Sequence, residues 1–389
     1  MFRKYVTNIK TMQFNLAELS GSLGDLGTFI PLLVGMVTIN GLDMSSALVF
    51  AGLFNILSGV FFGIPMAVQP MKAIAATAIS EGLSVGEIVA AGIVTGGAIF
   101  VFGATGLITR LNRLIPMCLV RGLQLGIGIK LIYKGISLVA SSGNVVGYDS
   151  IFTGVAAGAL GMVVFFNRRV PAALLLFTGG IVLLYLEPGT GQATLKLGFH
   201  LPSLVGLNAA DFLSGTLRAA IPQIPLTTLN SVIAVCALSG DLFPERKATT
   251  REVSVSVGLM NLIGCWFGAM PMCHGSGGLA GQYRFGARTG GSVVIIGVLK
   301  LAAGLLFGAS LLPLFAAYPV SILGAMLVFS GIELALASRD VTAAKEYVFV
   351  LVTAGAIVAL ASVALGFAVG CTAYVLGMLF DRNGTEEET

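Results

Sequence analysis

Charge is scarce in this chain. Only 10% of its 389 residues are Asp, Glu, Lys or Arg, against 56% hydrophobic, and the mean hydropathy is +0.95. Ordinary soluble domains carry about 25% charged residues, so a water-soluble globule is excluded and a polytopic membrane protein is expected. Cysteine is sparse too: Cys118, Cys236, Cys265, Cys273 and Cys371 are odd in number, lie in apolar segments and form no C-x-x-C. They read as small buried hydrophobes. The Cys273–His274 pair alone has too few ligands for zinc, so neither metal nor cofactor is expected. The sequence also lacks G-x-x-x-x-G-K-[ST] and H-E-x-x-H, which removes P-loop ATP-driven transport and the zinc hydrolases of that signature. No nucleophile–base pair is visible, so the chain is not expected to be an enzyme. Its net charge is only +4, and its basic stretches are too thin for nucleic acid. No apolar core with an A-x-A cleavage pattern follows Arg3, Lys4 and Lys10, so the N-terminus reads as a mature cytoplasmic end.

Long apolar runs are what the sequence has. At about 20 residues per crossing, spans fall at 20–39, 45–62, 66–80 (broken), 86–106, 116–133, 150–166, 170–186, 212–238, 252–269, 271–285 (broken), 290–309, 311–334, 346–361 and 363–380. That is seven per half, and an odd number means that the second half enters the membrane from the opposite side. The expected division is a first repeat at 1–186, an extracytoplasmic linker at 187–211, a second repeat at 212–380 and an acidic tail at 381–389. Within the linker, Leu195–Leu201 is a candidate surface segment. With the N-terminus inside, Arg110, Arg113, Arg168, Arg169, Arg246, Lys247, Arg251, Arg284, Arg288, Arg339 and Lys345 share the cytoplasmic side, as basic residues should. Lys130 and Lys134 are the exceptions. Both termini are expected to be cytoplasmic, in a cell inner membrane.

Internal similarity supports two halves. L-S-G-S-L at Leu19–Leu23 recurs as L-S-G-T-L at Leu213–Leu217, each followed at the same offset by Ile-Pro-Leu, at Ile30–Leu32 and Ile224–Leu226. G-V-F-F-G-I-P-M from Gly59 likewise matches G-C-W-F-G-A-M-P-M from Gly264 with one inserted residue. After each, the broken third and tenth spans read as an extended segment turning into a half-helix, because Pro271, Gly275, Gly277, Gly278 and Gly281 oppose a continuous one. A half-helix that starts inside a bilayer leaves N–H groups unpaired at its tip and carries the positive end of the dipole, which suits an anion. The competing reading is a Gly-rich loop that only lets helices pack closely.

Charged groups inside spans are functional candidates by default. Lys72 opens the third-span half-helix, where it could attract an anion or pair with Asp25 of the first span. Glu18, Asp25 and His274 are candidates for proton coupling or ion pairing, with helix capping as the alternative for Glu18. Gln69, Gln223, Thr227 and Ser276 are candidate hydrogen-bond donors, together with the backbone N–H groups of Met71–Ala73 and Gly275–Gly277.

The blocks E-L-S-G-S-L-G-D-L-G-T-F-I-P-L (Glu18–Leu32), Q-P-M-K-A-I-A-A (Gln69–Ala76), P-Q-I-P-L-T-T-L-N-S (Pro222–Ser231) and P-M-C-H-G-S-G-G-L-A-G-Q-Y-R-F-G-A-R (Pro271–Arg288) resemble the signature blocks of the molybdate transporter family, a branch of the sulfate permease superfamily. The resemblance implies an all-α membrane fold of two intertwined inverted seven-segment repeats. It implies a core domain (segments one to four and eight to eleven), a gate domain (five to seven and twelve to fourteen), and an oxyanion held between half-helices three and ten. Residues Gln69, Met71, Lys72, Ala73, Gln223, Thr227, Gly275, Ser276 and Gly277 would then bind molybdate, with sulfate as alternative substrate. An anion channel with the same dipoles is a further alternative. Nucleobase permeases share this architecture but need carboxylates in the eighth and tenth segments, and Met270–Gln282 has none. Many sulfate permeases carry a C-terminal regulatory domain. None is expected here, so a homodimer would form through the membrane part, within the lipid bilayer.

Overall fold

The computed structural model describes residues 2–108, 110, 116–141, 143–167, 172–186 and 197–386. An amphipathic helix, α1 (Phe2–Thr11), precedes the membrane segments, where the sequence suggests only a basic flank. The first segment joins α2 (Leu16–Ser22) to α3 (Leu26–Asn40) through a tight turn at Leu23–Asp25. Then follow α4 (Met44–Phe62), the strand β1 (Val68–Pro70), α5 (Lys72–Glu81), α6 (Val85–Ala104), α7 (Met117–Ala140), α8 (Ile151–Asn167) and α9 (Ala172–Leu186). The second half repeats this order. Its first segment runs through α10 (Ala209–Gly215), α11 (Ile221–Leu226) and α12 (Val235–Leu242), linked by π-helical stretches at Thr216–Ala220 and Thr227–Ala234. After it come α13 (Thr250–Gly264), β2 (Met272–His274), α14 (Ser276–Arg284), α15 (Gly291–Ala316), α16 (Val320–Ala335), α17 (Ala344–Ala359) and α18 (Val363–Glu386).

Every expected span coincides with a helix or a strand–helix unit. Among the described residues, six helical runs are long and apolar enough to cross a bilayer unaided; the others are shorter or broken. Four boundaries move by six residues or more: α16 starts at Val320 and α18 runs on into the expected tail, to Glu386, and two further helices lengthen. Helix α7 runs on to Ala140, and α15 passes Gly308 to end at Ala316, because a glycine does not stop a helix in a membrane as it does in water. Of the expected linker, residues 187–196 lie outside the described residues. Residues 197–208 are irregular and are held by backbone bonds, Gly198 N–H to Leu306 O at 2.8 Å and Val205 N–H to Trp266 O at 2.9 Å.

Two bodies result. In the core, α4 packs along α15 and α6 along α13; in the gate, α7 packs on α16 and α17, and α17 on α18. Close approach of backbones drives both pairings, as expected where lipid offers helices no hydrophobic reward for associating. A Cβ on Gly52 would lie 2.6 Å from the Gly297 carbonyl of α15, and one on Gly135 would lie 2.4 Å from the Gly324 carbonyl of α16.

The bodies touch where α3 and α5 face α7 and α16. Glu81, at the end of α5, accepts from Lys130 Nζ of α7 at 2.7 Å and from the Val363 N–H at the start of α18 at 2.9 Å. Lys130 also donates to the Ala361 carbonyl at 2.8 Å. Arg218 brings Nε to 3.6 Å from the same carboxylate and Nη1 to 3.3 Å from Glu87. Lys130 departs from the positive-inside pattern because a buried acid holds it there.

Candidate functional site

The two broken segments meet in an antiparallel ribbon. Val68 pairs with His274, Gln69 with Cys273 and Pro70 with Met272. A two-fold axis through the central pair exchanges β1 with β2 and α5 with α14, so the half-helices start from opposite ends of one ribbon. Each preceding segment stops at Phe-Gly, with Gly63 and Gly268 in the left-handed region at φ +69° and +73°, where a Cβ is disfavoured. Beyond this turn the halves differ in register. The half-helix starts set Val68 equivalent to Met272, so Pro65-Met66 and Pro271-Met272, matched in the sequence, are not equivalent.

A two-stranded ribbon leaves its outer backbone groups to be satisfied by other partners. Asn55 of α4 accepts the Val68 N–H at 3.1 Å. Asn261 of α13 accepts the Met272 N–H at 2.8 Å and donates to the Met272 carbonyl at 2.6 Å. Sequence reasoning misses both clamps. The available signal is an asparagine at corresponding places in two apolar runs, Phe54-Asn55-Ile56-Leu57 and Met260-Asn261-Leu262-Ile263.

At the α5 start, Met71 N–H donates to the Pro271 carbonyl at 2.8 Å. The Ala73 and Ile74 N–H groups donate to Gln223 Oε1 at 2.8 and 3.2 Å, and Gln223 Nε2 donates to Thr227 Oγ1 at 2.7 Å. Gln223 and Thr227 therefore do reach the half-helix, but Gln223 presents its oxygen where the sequence suggests a donor. Unpaired N–H groups at a helix start attract an acceptor, which is why the amide takes this orientation. At the α14 start, Ser276 Oγ donates to Asn230 Oδ1 at 3.1 Å, a partner that sequence reasoning does not single out. Gly275 and Gly278 lie under the Gln69 amide: a Cβ at Gly275 would sit 1.8 Å from Gln69 Oε1. Gly277 faces open space. The segment α10–α12 thus serves both half-helices, Gln223 at one and Asn230 at the other, and its π-helical stretches set that spacing.

Lys72 is the first residue of α5 and is half-buried. Among the described residues its ammonium forms no ion pair. The side chain borders a narrow cleft between core and gate, lined by Thr28, Leu32, Leu131, Ser330 and Leu334. The side chain of Asp25, its expected alternative partner, lies outside the described residues, as does that of Arg284.

Glu18 and His274 are engaged away from this cleft. Glu18 is 1% exposed and its carboxylate accepts the N–H groups of Arg288, Thr289 and Ser292 at 2.9, 2.9 and 3.0 Å. It caps the entry to α15, not its own helix. His274 is fully buried; Nδ1 donates to the Ala67 carbonyl at 3.1 Å and Nε2 accepts from Ser256 Oγ at 2.9 Å. Its ring is occupied in holding β2 to its neighbours. Sequence reasoning also misses a buried cation: Lys300 of α15 places Nζ 3.4 Å from the ring centroid of Phe29, a cation–π contact between segments eleven and one. Among the described residues no cluster of three His, Cys, Asp or Glu could hold a metal.

A family model described as "Molybdate transporter of MFS superfamily" matches residues 17–131 and 215–334. Molybdate transporter 1 of Arabidopsis thaliana is 39% identical, over 98% of this chain and 92% of its own length. Molybdate transporter 2 of the same plant is 42% identical, over 92% and 87%. Among solved structures, the transmembrane domain of a cyanobacterium bicarbonate transporter, BicA, superposes with a TM-score of 0.66 at 16% identity, over 92% of this chain and 98% of that one. The murine Solute Carrier 26 family member A9 anion transporter, in its inward-facing state, gives 0.68 at 14%, over 97% and 71%. These structural matches show that the chain shares the fold of those transporters' membrane domains. Matched in both halves by the family model and nearly end to end by its curated relatives, the chain belongs to the molybdate transporter family, whose members are membrane transporters and not enzymes.

Proposed function

We propose that this chain is a secondary active transporter of a tetrahedral divalent oxyanion, with molybdate as the substrate and sulfate as its competitor, held between the starts of α5 and α14. The observation that carries this reading is the pair of half-helix starts at the two ends of one ribbon, with Lys72 opening one of them. Each start presents donors and a partial positive charge of about half an elementary unit. At α14 the N–H groups of Ser276, Gly277 and Gly278 head the helix. At α5 an arriving anion takes the place of Gln223 Oε1, and the released amide can turn Nε2 towards it. Each charge-assisted bond is worth about 1.5–3 kcal/mol, so several together offset the dehydration of a dianion. The names of the curated relatives favour molybdate within the oxyanion class.

Movement of the core against the gate then carries the anion across. The same reading takes residues 1–186 and 212–380 as the inverted repeats, with both termini cytoplasmic in a cell inner membrane and any homodimer formed through the membrane part. Purified protein in liposomes should take up molybdate saturably and with a steep temperature dependence, and excess sulfate should reduce uptake. Ohmic anion current without saturation would support a channel instead, and flux of an unrelated solute without oxyanion flux would overturn the reading.

A further inference from the structure

We propose that the gate contributes directly to this site through Ser330, so that a bound oxyanion is gripped by both moving bodies at once. The inference rests on the oxyanion reading above and extends it to a residue outside the half-helices.

Ser330 lies on α16 and borders the same cleft as Lys72 and Thr28. It is only 8% exposed, yet its hydroxyl has no hydrogen-bond partner. Hydroxyls in the apolar helices of this protein ordinarily donate to the carbonyl one turn earlier. Thr38 does so to Val34 at 2.8 Å, Thr228 to Ile224 at 2.8 Å and Thr353 to Phe349 at 2.7 Å. Ser330 forgoes that bond, which is costly for a buried polar group. Thr77, Thr95 and Ser254 also lack partners, but none of them borders the cleft.

The chemistry around Ser330 suits an anion and no other small ion. Lys72 brings a positive charge and the start of α5 adds its dipole, which together repel a cation. Thr28 and Ser330 add hydroxyl donors, and Leu32, Leu131 and Leu334 exclude water, which strengthens each polar contact. Thr28 and Lys72 belong to the core and Ser330 to the gate. The cleft is narrow, so the bodies part slightly to admit an oxyanion and close upon it. Occupancy therefore joins core and gate in this state, and the bond to Ser330 must break before the core carries the anion onward.

The test is molybdate binding to the purified full-length protein, measured by calorimetry, alongside thermal unfolding with and without molybdate. Ser330→Ala should weaken binding about tenfold or more, as expected for losing a hydrogen bond to a charged group. It should also reduce the stabilisation that molybdate confers, while the ligand-free melting temperature stays near wild type. Ser330→Thr, which keeps the hydroxyl, should retain most of the affinity. Should Ser330→Ala not fold, Ser330→Cys has the same shape and a weak donor and is judged by the same criterion. Wild-type affinity in Ser330→Ala, or in Ser330→Cys where it stands in, with the wild type binding molybdate, overturns the role of Ser330 and leaves the proposed function standing. A wild type that binds no oxyanion overturns the function itself.

Discussion

At the α5 start a single amide oxygen already does what an anion would do. Gln223 Oε1 accepts from the Ala73 and Ile74 N–H groups, which marks that place as one suited to negative charge. Gln223→Glu would put a permanent charge there with almost no change of shape. Like charges set against one another cost several kcal/mol, so molybdate uptake in liposomes should fall about a hundredfold or more while the protein still folds. The asparagine clamps behave differently. Asn261→Leu strands both the N–H and the carbonyl of Met272 in an apolar interior, each at a cost of about 1–3 kcal/mol. Asn55→Leu strands the Val68 N–H alone among the ribbon groups. Thermal unfolding should therefore show the larger loss for Asn261→Leu. None of these pairings is legible in the sequence, because an asparagine in an apolar run does not announce a partner 11 or 13 residues away. Lys300 is legible in principle, as a charge within a span, but its aromatic partner on another segment is not. Glu18 is legible as a capping carboxylate, whereas the helix that it caps lies some 270 residues downstream and leaves no local trace.

The broken segments are the most readable elements. Proline and glycine clusters such as Pro271–Gly281 cannot sustain a buried helix, so an extended stretch feeding a half-helix follows from local chemistry alone. The joining of β1 to β2 does not, since their residues stand about two hundred positions apart and two strands of 3 residues each carry no pairing signal. The left-handed turns at Gly63 and Gly268 show where the repeat is faithful. Beyond them the Pro-Met dipeptides coincide in the sequence by composition and diverge in place, which is how a short match misleads on register. The π-helical stretches around Gln223 and Asn230 are also invisible from pattern, because an extra residue per turn leaves hydropathy almost unchanged.

For the whole molecule, the seven-segment halves are legible, and Lys130 stands out as the residue that does not fit the expected placing of basic residues. Its bond to Glu81 explains the misfit and places an ionic contact across the seam between the bodies. If transport needs those bodies to shift, tethering them there should stop it. In a background with the five native cysteines replaced, Glu81→Cys combined with Lys130→Cys and joined by a bifunctional thiol reagent should abolish uptake. A cleavable reagent should restore uptake when cut, and persistent uptake by tethered protein would show that this seam stays shut throughout the cycle.

Lys72 and Glu81 are the first and last residues of one helix of 10 residues, about 15 Å from end to end. A rod so short does not bend appreciably under side-chain forces. Its far end is fastened to the gate through Lys130 and Val363, so if the proposed oxyanion meets its near end, a tilt at one end becomes a tug at the other with no intermediate parts to relay it. On the proposed function, cargo sensing and closure of the far side would be two ends of the same strut.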